Sequence, residues 1–217
     1  MTSMIFAKSI LFIELYCLEY VYNTRMKTEC VWQNIRLSLK DRSKIKNQKP
    51  QCLWITGLPC SGKSTIANAL EEYLYKLGKH TYLLDGDNLR HSLNIDLDFS
   101  IKARHENIRR TAEVARLMVD AGLIVIVAII SPLHKDREFA RSKFSDNQFK
   151  EIYLSTSLAV CEKRDVKNMY KKARTGIMKN FTGIDSPYEV PKCPDIAIDT
   201  QSLTVNEVVS RIKNIIE

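Results

Sequence analysis

The eight residues Gly57-Leu58-Pro59-Cys60-Ser61-Gly62-Lys63-Ser64 have the types and spacing that hold a nucleoside triphosphate. Gly57 and Gly62 let the backbone pass close to phosphate oxygens and aim successive N–H groups at them. Lys63 is spaced to bridge the β- and γ-phosphates, Ser64 to give its hydroxyl to Mg²⁺, and the helix that begins beside Lys63 adds its positive dipole end. A transfer reaction needs a carboxylate as well. Many phosphate-loop ATPases end a buried strand with an aspartate that helps hold Mg²⁺, but the apolar run here ends Ile129-Ile130-Ser131-Pro132, without an acid. The acids stand instead in Asp85-Gly86-Asp87. Asp87 is expected to orient and deprotonate an attacking hydroxyl, and Asp85 to support the metal or its water shell. The acceptor reads as anionic, because Arg90, Arg104, Arg109 and Arg110 lie within a short stretch and the guanidinium fork suits phosphate or sulfate oxygens. Arg104 and Asn107, three apart, share one edge of a helix.

The elements that must carry these residues follow from periodicity. Short apolar runs at about 51–56, 80–85, 123–130, 149–155 and 195–198 alternate with helical patterns at about 63–77, 104–121, 135–145, 157–164 and 203–216. That alternation predicts an α/β chain of the P-loop NTPase fold, with a five-stranded, mostly parallel sheet, helices on both faces and a lid segment. The run Leu123 to Ile130 is continuously apolar, as a central strand buried on both faces should be. Residues 165–193 form a long, charged, irregular stretch of the kind that serves as a lid.

Charge and cysteines exclude other classes. The chain of 217 residues carries a net charge of +8, and residues 1–50 hold nine Lys/Arg against four Asp/Glu. No aromatic residues interleave with the run Lys40, Arg42, Lys44, Lys46, Lys49, so a solvated tether is preferred to a nucleic-acid tail. The apolar residues 5–16 are interrupted by Glu14 and then Glu19 before reaching membrane-spanning length, and a basic start for a secretory signal is missing. The expected organisation is an N-terminal extension over 1–25, with Met26 as an alternative start, a basic tether over 26–50, and a kinase domain over 51–217 with its lid at about 165–193. None of the six cysteines forms a C-x-x-C pair, and no histidine stands at a zinc-site spacing, which points to a reducing, cytoplasmic setting.

From Val31-Trp32 to the C-terminus the sequence resembles the adenylylsulfate kinases. The resemblance rests on Asp85-Gly86-Asp87-Asn88-Leu89-Arg90-His91, Asp96-Leu97-Asp98-Phe99-Ser100, Glu106-Asn107-Ile108-Arg109-Arg110, Ile130-Ser131-Pro132, Cys161-Glu162-Lys163-Arg164-Asp165 and Phe181-Thr182-Gly183-Ile184-Asp185. It implies transfer of the γ-phosphate of ATP to the 3′-hydroxyl of adenosine 5′-phosphosulfate, with Mg²⁺ as cofactor. It further implies that Asp87, Arg90, Arg104, Asn107, Ile130 and Ser131 contact the sulfated nucleotide, that Phe99 and Phe181 sandwich its adenine, and that Lys171 in the lid reaches the same substrate. The resemblance also implies that Thr65 and Arg164 join the phosphate loop in holding ATP. Ser131 is the position the family describes as a phosphoserine; in-line transfer needs no covalent step, and a binding role is preferred for it. A homodimer and association with an ATP sulfurylase also follow from the resemblance. Ala103 stands where the family commonly has aspartate, and Val166-Lys167-Asn168 where it often has Pro-Lys-Gly. Another small-molecule kinase of the same architecture and a nucleotide-binding regulatory protein stay open as alternatives.

Overall fold

The computed structural model describes residues 30–216, so the expectations for residues 1–25 and Met26 lie outside the described residues. The chain divides into two compact units, residues 1–36 and 37–217. In the first, the described residues 30–36 contain no helix or strand.

The second unit is built on five strands, β1 (Gln51–Gly57), β2 (Thr81–Asp85), β3 (Ile124–Ala128), β4 (Phe149–Leu154) and β5 (Ile196–Ile198). They pair in the order β2-β3-β1-β4-β5, and every pair is parallel. The eight helices of the described residues are α1 (Leu39–Lys46), α2 (Lys63–Lys76), α3 (Gly86–Arg90), α4 (Ile101–Asp120), α5 (His134–Arg141), α6 (Leu158–Arg164), α7 (Met169–Arg174) and α8 (Val205–Lys213). The sheet carries a core on each face, which explains its unbroken apolar runs. Leu53, Ile55, Ile124 and Ile126 point to one side, against Ile66 and Leu70 of α2 and Val208 and Ile212 of α8. Cys52, Trp54, Val125 and Val127 point to the other, against Ala112, Ala115 and Val119 of α4.

All five expected strands and all five expected helices are present, with ends shifted by up to four residues. The arginine helix starts at Ile101 rather than 104, because the Ser100 hydroxyl accepts the Ala103 N–H and caps it there. Helices α1, α3 and α7 have no counterpart among the expected elements. None is carried by an apolar period. A reciprocal capping box between Ser38 and Asp41 starts α1, which buries no residue. The Asp85 carboxylate caps the five-residue α3, and the Asp165 carboxylate accepts the N–H groups of Met169, Tyr170 and Lys171 that open α7.

Strand β1 is central. The chain runs from it to β2, returns to β3 beside it, and then crosses to β4 and β5 on its other side, so the carboxyl end of β1 opens onto the crevice where sheets of this kind place ligands.

Candidate active site

Leaving β1, the chain turns at Gly57, where a Cβ would stand 2.8 Å from both Leu154 O and Ser61 Oγ. Only glycine fits that approach at φ +154. Cys60 and Gly62 also hold positive φ, which folds the loop over itself. Gly62 caps α2 without any side-chain hydrogen bond, so the first N–H groups of that helix remain free for an anion. Lys63 lies beneath the loop, its Nζ donating to Gly57 O at 3.0 Å and Leu58 O at 2.7 Å, and burial pushes its ammonium down to about 8. An ammonium so poorly solvated gains from an anionic partner.

A cavity of about 570 Å³ opens from this loop along the carboxyl edge of the sheet. Pro59, Cys60, Gly62, Lys63, Ser64 and Thr65 line the end beside the loop; Gly57, Leu58 and Ser61 lie behind that surface and shape the loop. Arg164 borders the same end, held by its bonds to the Thr200 hydroxyl and carbonyl at 2.9 and 2.8 Å. Thr200 in turn donates to Ser61 O at 3.0 Å. No sequence signal marked Thr200, which acts through backbone contacts that leave no motif. The Ser64 hydroxyl donates to Asp85 Oδ2 at 2.6 Å, while Asp85 Oδ1 accepts the Asp87 N–H at 2.9 Å. A hydroxyl and a carboxylate side by side next to a phosphate loop are hard oxygen donors of the kind Mg²⁺ takes, so the residues fit that ion.

At the other end the cavity is lined by Asp87, Arg90, Phe99, Arg104, Asn107 and the turn Ile130-Ser131. The Arg90 guanidinium lies 4.3 Å from the Phe99 ring centroid and that of Arg104 5.9 Å, so the exposed ring lies near two cations. Burial lowers the pKa of both arginines, and the charge of Arg90 lowers that of Arg104 further. Two cations at this depth favour an anionic ligand. Asn107 is buried and accepts from Asn94 Nδ2 at 2.8 Å, a bond that fixes its amide. Ser131 is 1% exposed, takes a left-handed φ of 40, and accepts the Trp54 indole N–H at 3.0 Å.

Four expectations need correction or relocation. Arg109 and Arg110 do not face the loop: Arg109 pairs with Glu106, and Arg110 pairs with Glu106 and bidentately with Asp96. At about 100° per residue they point roughly 140° and 240° round the helix from Arg104. Lys171 is exposed on α7 and does not line the cavity, whereas Lys167 stands on the cavity wall and donates to Asp87 Oδ2 at 2.7 Å. Phe181 is 6% exposed and packs edge-on against Tyr170 with centroids 4.9 Å apart, so in this arrangement only Phe99 offers a face to the cavity. Finally, the lid stretch is less irregular than its composition suggests, since Tyr170 of α7 is buried and donates to Pro59 O at 3.0 Å.

A parallel sheet ordered 2-3-1-4-5, a phosphate loop after its central strand and carboxylates at the next strand end define a phosphate-loop kinase. Residues 49–199 match the family described as adenylylsulphate kinase. A relative from Halalkalibacterium halodurans, named probable adenylyl-sulfate kinase, is 52% identical over 194 residues, which span 89% of this chain and 93% of that one. The adenylyl-sulfate kinase of Marinobacter nauticus is 54% identical over 182 residues, 84% of this chain and 92% of its own. Among solved structures, the Mycobacterium tuberculosis APS kinase CysC in complex with AMPPNP and APS is 44% identical with a TM-score of 0.74, covering 77% of this chain and 98% of that one. The chain belongs to the adenylylsulfate kinase family and is an ATP-dependent kinase. Among the described residues no helix is long and apolar enough to cross a membrane.

Proposed function

We propose that the two ends of the cavity hold the two substrates of one transfer: ATP on the phosphate loop and adenosine 5′-phosphosulfate between Arg90, Phe99, Arg104 and Asn107. The reaction is that of the family, giving 3′-phosphoadenosine 5′-phosphosulfate and ADP. The observation that carries the assignment of sites is the single cavity with Lys63, Ser64 and Asp85 at one end and two under-neutralised arginines at the other. Asp87 stands between them. Its carboxylate takes the proton of the 3′-hydroxyl as that oxygen bonds to the γ-phosphorus and the bridge to the β-phosphate breaks. Ser64 and Asp85 would hold Mg²⁺, which supplies charge neutralisation on the β- and γ-phosphates.

Arg164, poised at the rim by Thr200, borders the nucleoside of ATP. Phe99 stacks on the acceptor's adenine, and Phe181 joins it only if the segment carrying it shifts away from Tyr170. Residues 165–193 act as the lid, with Lys167 rather than Lys171 delivering positive charge over the transferring group. Ser131 binds rather than accepts phosphate, since its hydroxyl is buried and engaged by Trp54. A homodimer, coupling to a sulfurylase and a cytoplasmic setting belong to the same reading.

The test is a purified-protein assay with Mg·ATP and adenosine 5′-phosphosulfate, following the 3′-phosphorylated product by chromatography. Product from the parent chain and none from a folded Asp87→Asn variant supports the assignment; an Asp87→Asn variant with undiminished turnover removes Asp87 from the chemistry.

A further inference from the structure

The turn Ile130-Ser131-Pro132 departs from β3 in a conformation that nothing in its own sequence enforces. Ser131 is a non-glycine residue with φ 40, which costs free energy unless neighbours hold it there. The holders are specific. The Thr56 hydroxyl donates to Ile130 O at 2.6 Å, the Arg137 guanidinium donates to Ser131 O at 2.6 Å, and the Glu189 N–H donates to Pro132 O at 2.8 Å. Three successive carbonyls are each fixed by a different donor.

Arg137 is the centre of this arrangement. It is 3% exposed, on α5, and lines no part of the cavity. Besides Ser131 O, it donates to Glu189 O at 2.7 Å and to His134 Nδ1 at 3.0 Å, so a neutral His134 carries its proton on Nε2. Its Nε lies 2.9 Å from Glu151 Oε1, a Coulombic contact without hydrogen-bond alignment, since that oxygen has no hydrogen-bond partner. A buried ion pair is a poor source of stability compared with apolar packing. A guanidinium, however, can hold several acceptors in one plane, which neither an apolar side chain nor a lysine can do.

We propose that Arg137 is a positioning residue for the acceptor, fixing the strained Ser131 turn at which the acceptor binds, with Thr56 doing the same for Ile130. The proposal rests on the reading that Ile130 and Ser131 contact the acceptor. It sets a residue with no substrate contact in control of one substrate's affinity and not the other's. The phosphate loop has its own supports at Thr200 and Tyr170, so the effect is confined to the acceptor end.

The experiment measures KM for adenosine 5′-phosphosulfate and for ATP in Arg137→Lys, Thr56→Val, Ser131→Ala and Glu151→Gln, with thermal unfolding recorded for each. Lysine at 137 keeps a charge for Glu151 but cannot serve Ser131 O and Glu189 O together. The expected result for Arg137→Lys is a KM for the acceptor raised about tenfold, as for loss of a charged hydrogen bond, with KM for ATP within about twofold. Thr56→Val, which keeps the side-chain shape, shifts the same constant in the same direction, and it carries the test if Arg137→Lys does not fold. Glu151→Gln loosens the buried pair without touching the turn, so it lowers the unfolding midpoint and leaves both KM values in place. If Glu151→Gln raises the acceptor KM as much as Arg137→Lys, the role is merely structural and the proposal fails. It fails equally if Ser131→Ala raises the acceptor KM while Arg137→Lys and Thr56→Val do not. Should none of the variants move the acceptor KM, Ser131→Ala included, the reading of the turn as an acceptor contact falls first, and the proposal with it.

Discussion

The two ends of the cavity are built in opposite ways. The nucleotide end is nearly contiguous: residues 57–65 supply the turn, the ammonium, the hydroxyl and a helix start whose N–H groups no side chain caps. The acceptor end is gathered from both ends of α3, the rim residue Phe99, one edge of α4 and the turn after β3, and it relies on side chains. Backbone groups need only the right φ and ψ, which glycines provide. Side chains from separate segments need each segment placed, and then each rotamer held. The acceptor end should therefore fail by small independent steps, and the nucleotide end by large ones.

The largest step is Lys63→Ala. Removing the ammonium proposed to bridge the β- and γ-phosphates should cost turnover about 10²–10³-fold or more, in line with loss of a preorganised charge at a transferring group. Steady-state assay with Mg·ATP in excess checks it. A variant that keeps activity within tenfold would mean that the nucleotide end does not depend on this residue, and the contrast collapses.

Arg104→Ala comes next. Arg104 donates to Phe99 O, Asn180 O and the Thr182 hydroxyl, and lies near the Phe99 ring, so its loss removes a scaffold and, on the proposed assignment, an anion contact. We expect the acceptor KM to rise about 10–100-fold, from the worth of a charge-assisted hydrogen bond, with KM for ATP unchanged. Equal increases in both constants would show that the two ends are not separable.

The same contrast decides what could be read from sequence. The phosphate loop was legible because its residues are consecutive and each type has a local reason. The sheet was legible because Leu53 and Trp54 alternate into two cores, leaving unbroken apolar runs. Arg90 and Arg104 could be named as candidates for binding an anion, but Arg110 could not be set aside, because its partner Asp96 lies on a loop whose path no periodicity reveals. The Glu106–Arg109 pair, by contrast, is an i,i+3 contact that helical spacing allows. Arg137 and Thr200 were invisible for a related reason: both act on backbone carbonyls, which leave no motif, and Glu189 O and Ser61 O lie far along the chain. Helices α1 and α7 escaped because capping carboxylates at Asp41 and Asp165 start them, while their faces carry no clear apolar stripe.

A pH series sharpens the nucleotide end. Lys63 titrates at about 8 in the folded chain against 10.5 ordinarily, because burial disfavours its charge. Burial also pushes the neighbouring Cys60 and Cys161 thiols up. Below about 8 the ammonium is present for the phosphates; above it, ATP binding must take up a proton, and Kd should rise by up to about tenfold per pH unit. Stability moves the other way. Between about 8 and 10.5 the unfolded chain holds a proton that the folded chain has released, so this group's contribution to stability increases with pH. Calorimetric titration of ATP and thermal unfolding, run side by side from pH 7 to 9.5, should therefore diverge, and Lys63→Arg should abolish the divergence because arginine does not deprotonate there.

The smallest effect is expected at the ion pair between Lys167, in the proposed lid, and Asp87, the proposed base. Lys167 and Asp87 meet at 2.7 Å, but their side chains are 64% and 70% exposed, so water screens the attraction. Asp87 raises the pKa of Lys167, which therefore stays charged throughout the working range. Lys167→Ala should lower kcat less than about fivefold, as for an exposed pair, and the deficit should shrink as salt is added, since added ions weaken the parent contact as well. A loss comparable to that of Lys63→Ala would place Lys167 among the fixed groups of the nucleotide end and move the boundary between the two ends into the lid. A small, salt-sensitive loss keeps it as a contact made and broken with each turnover, consistent with its place on a segment anchored beneath by Tyr170 and open to solvent above.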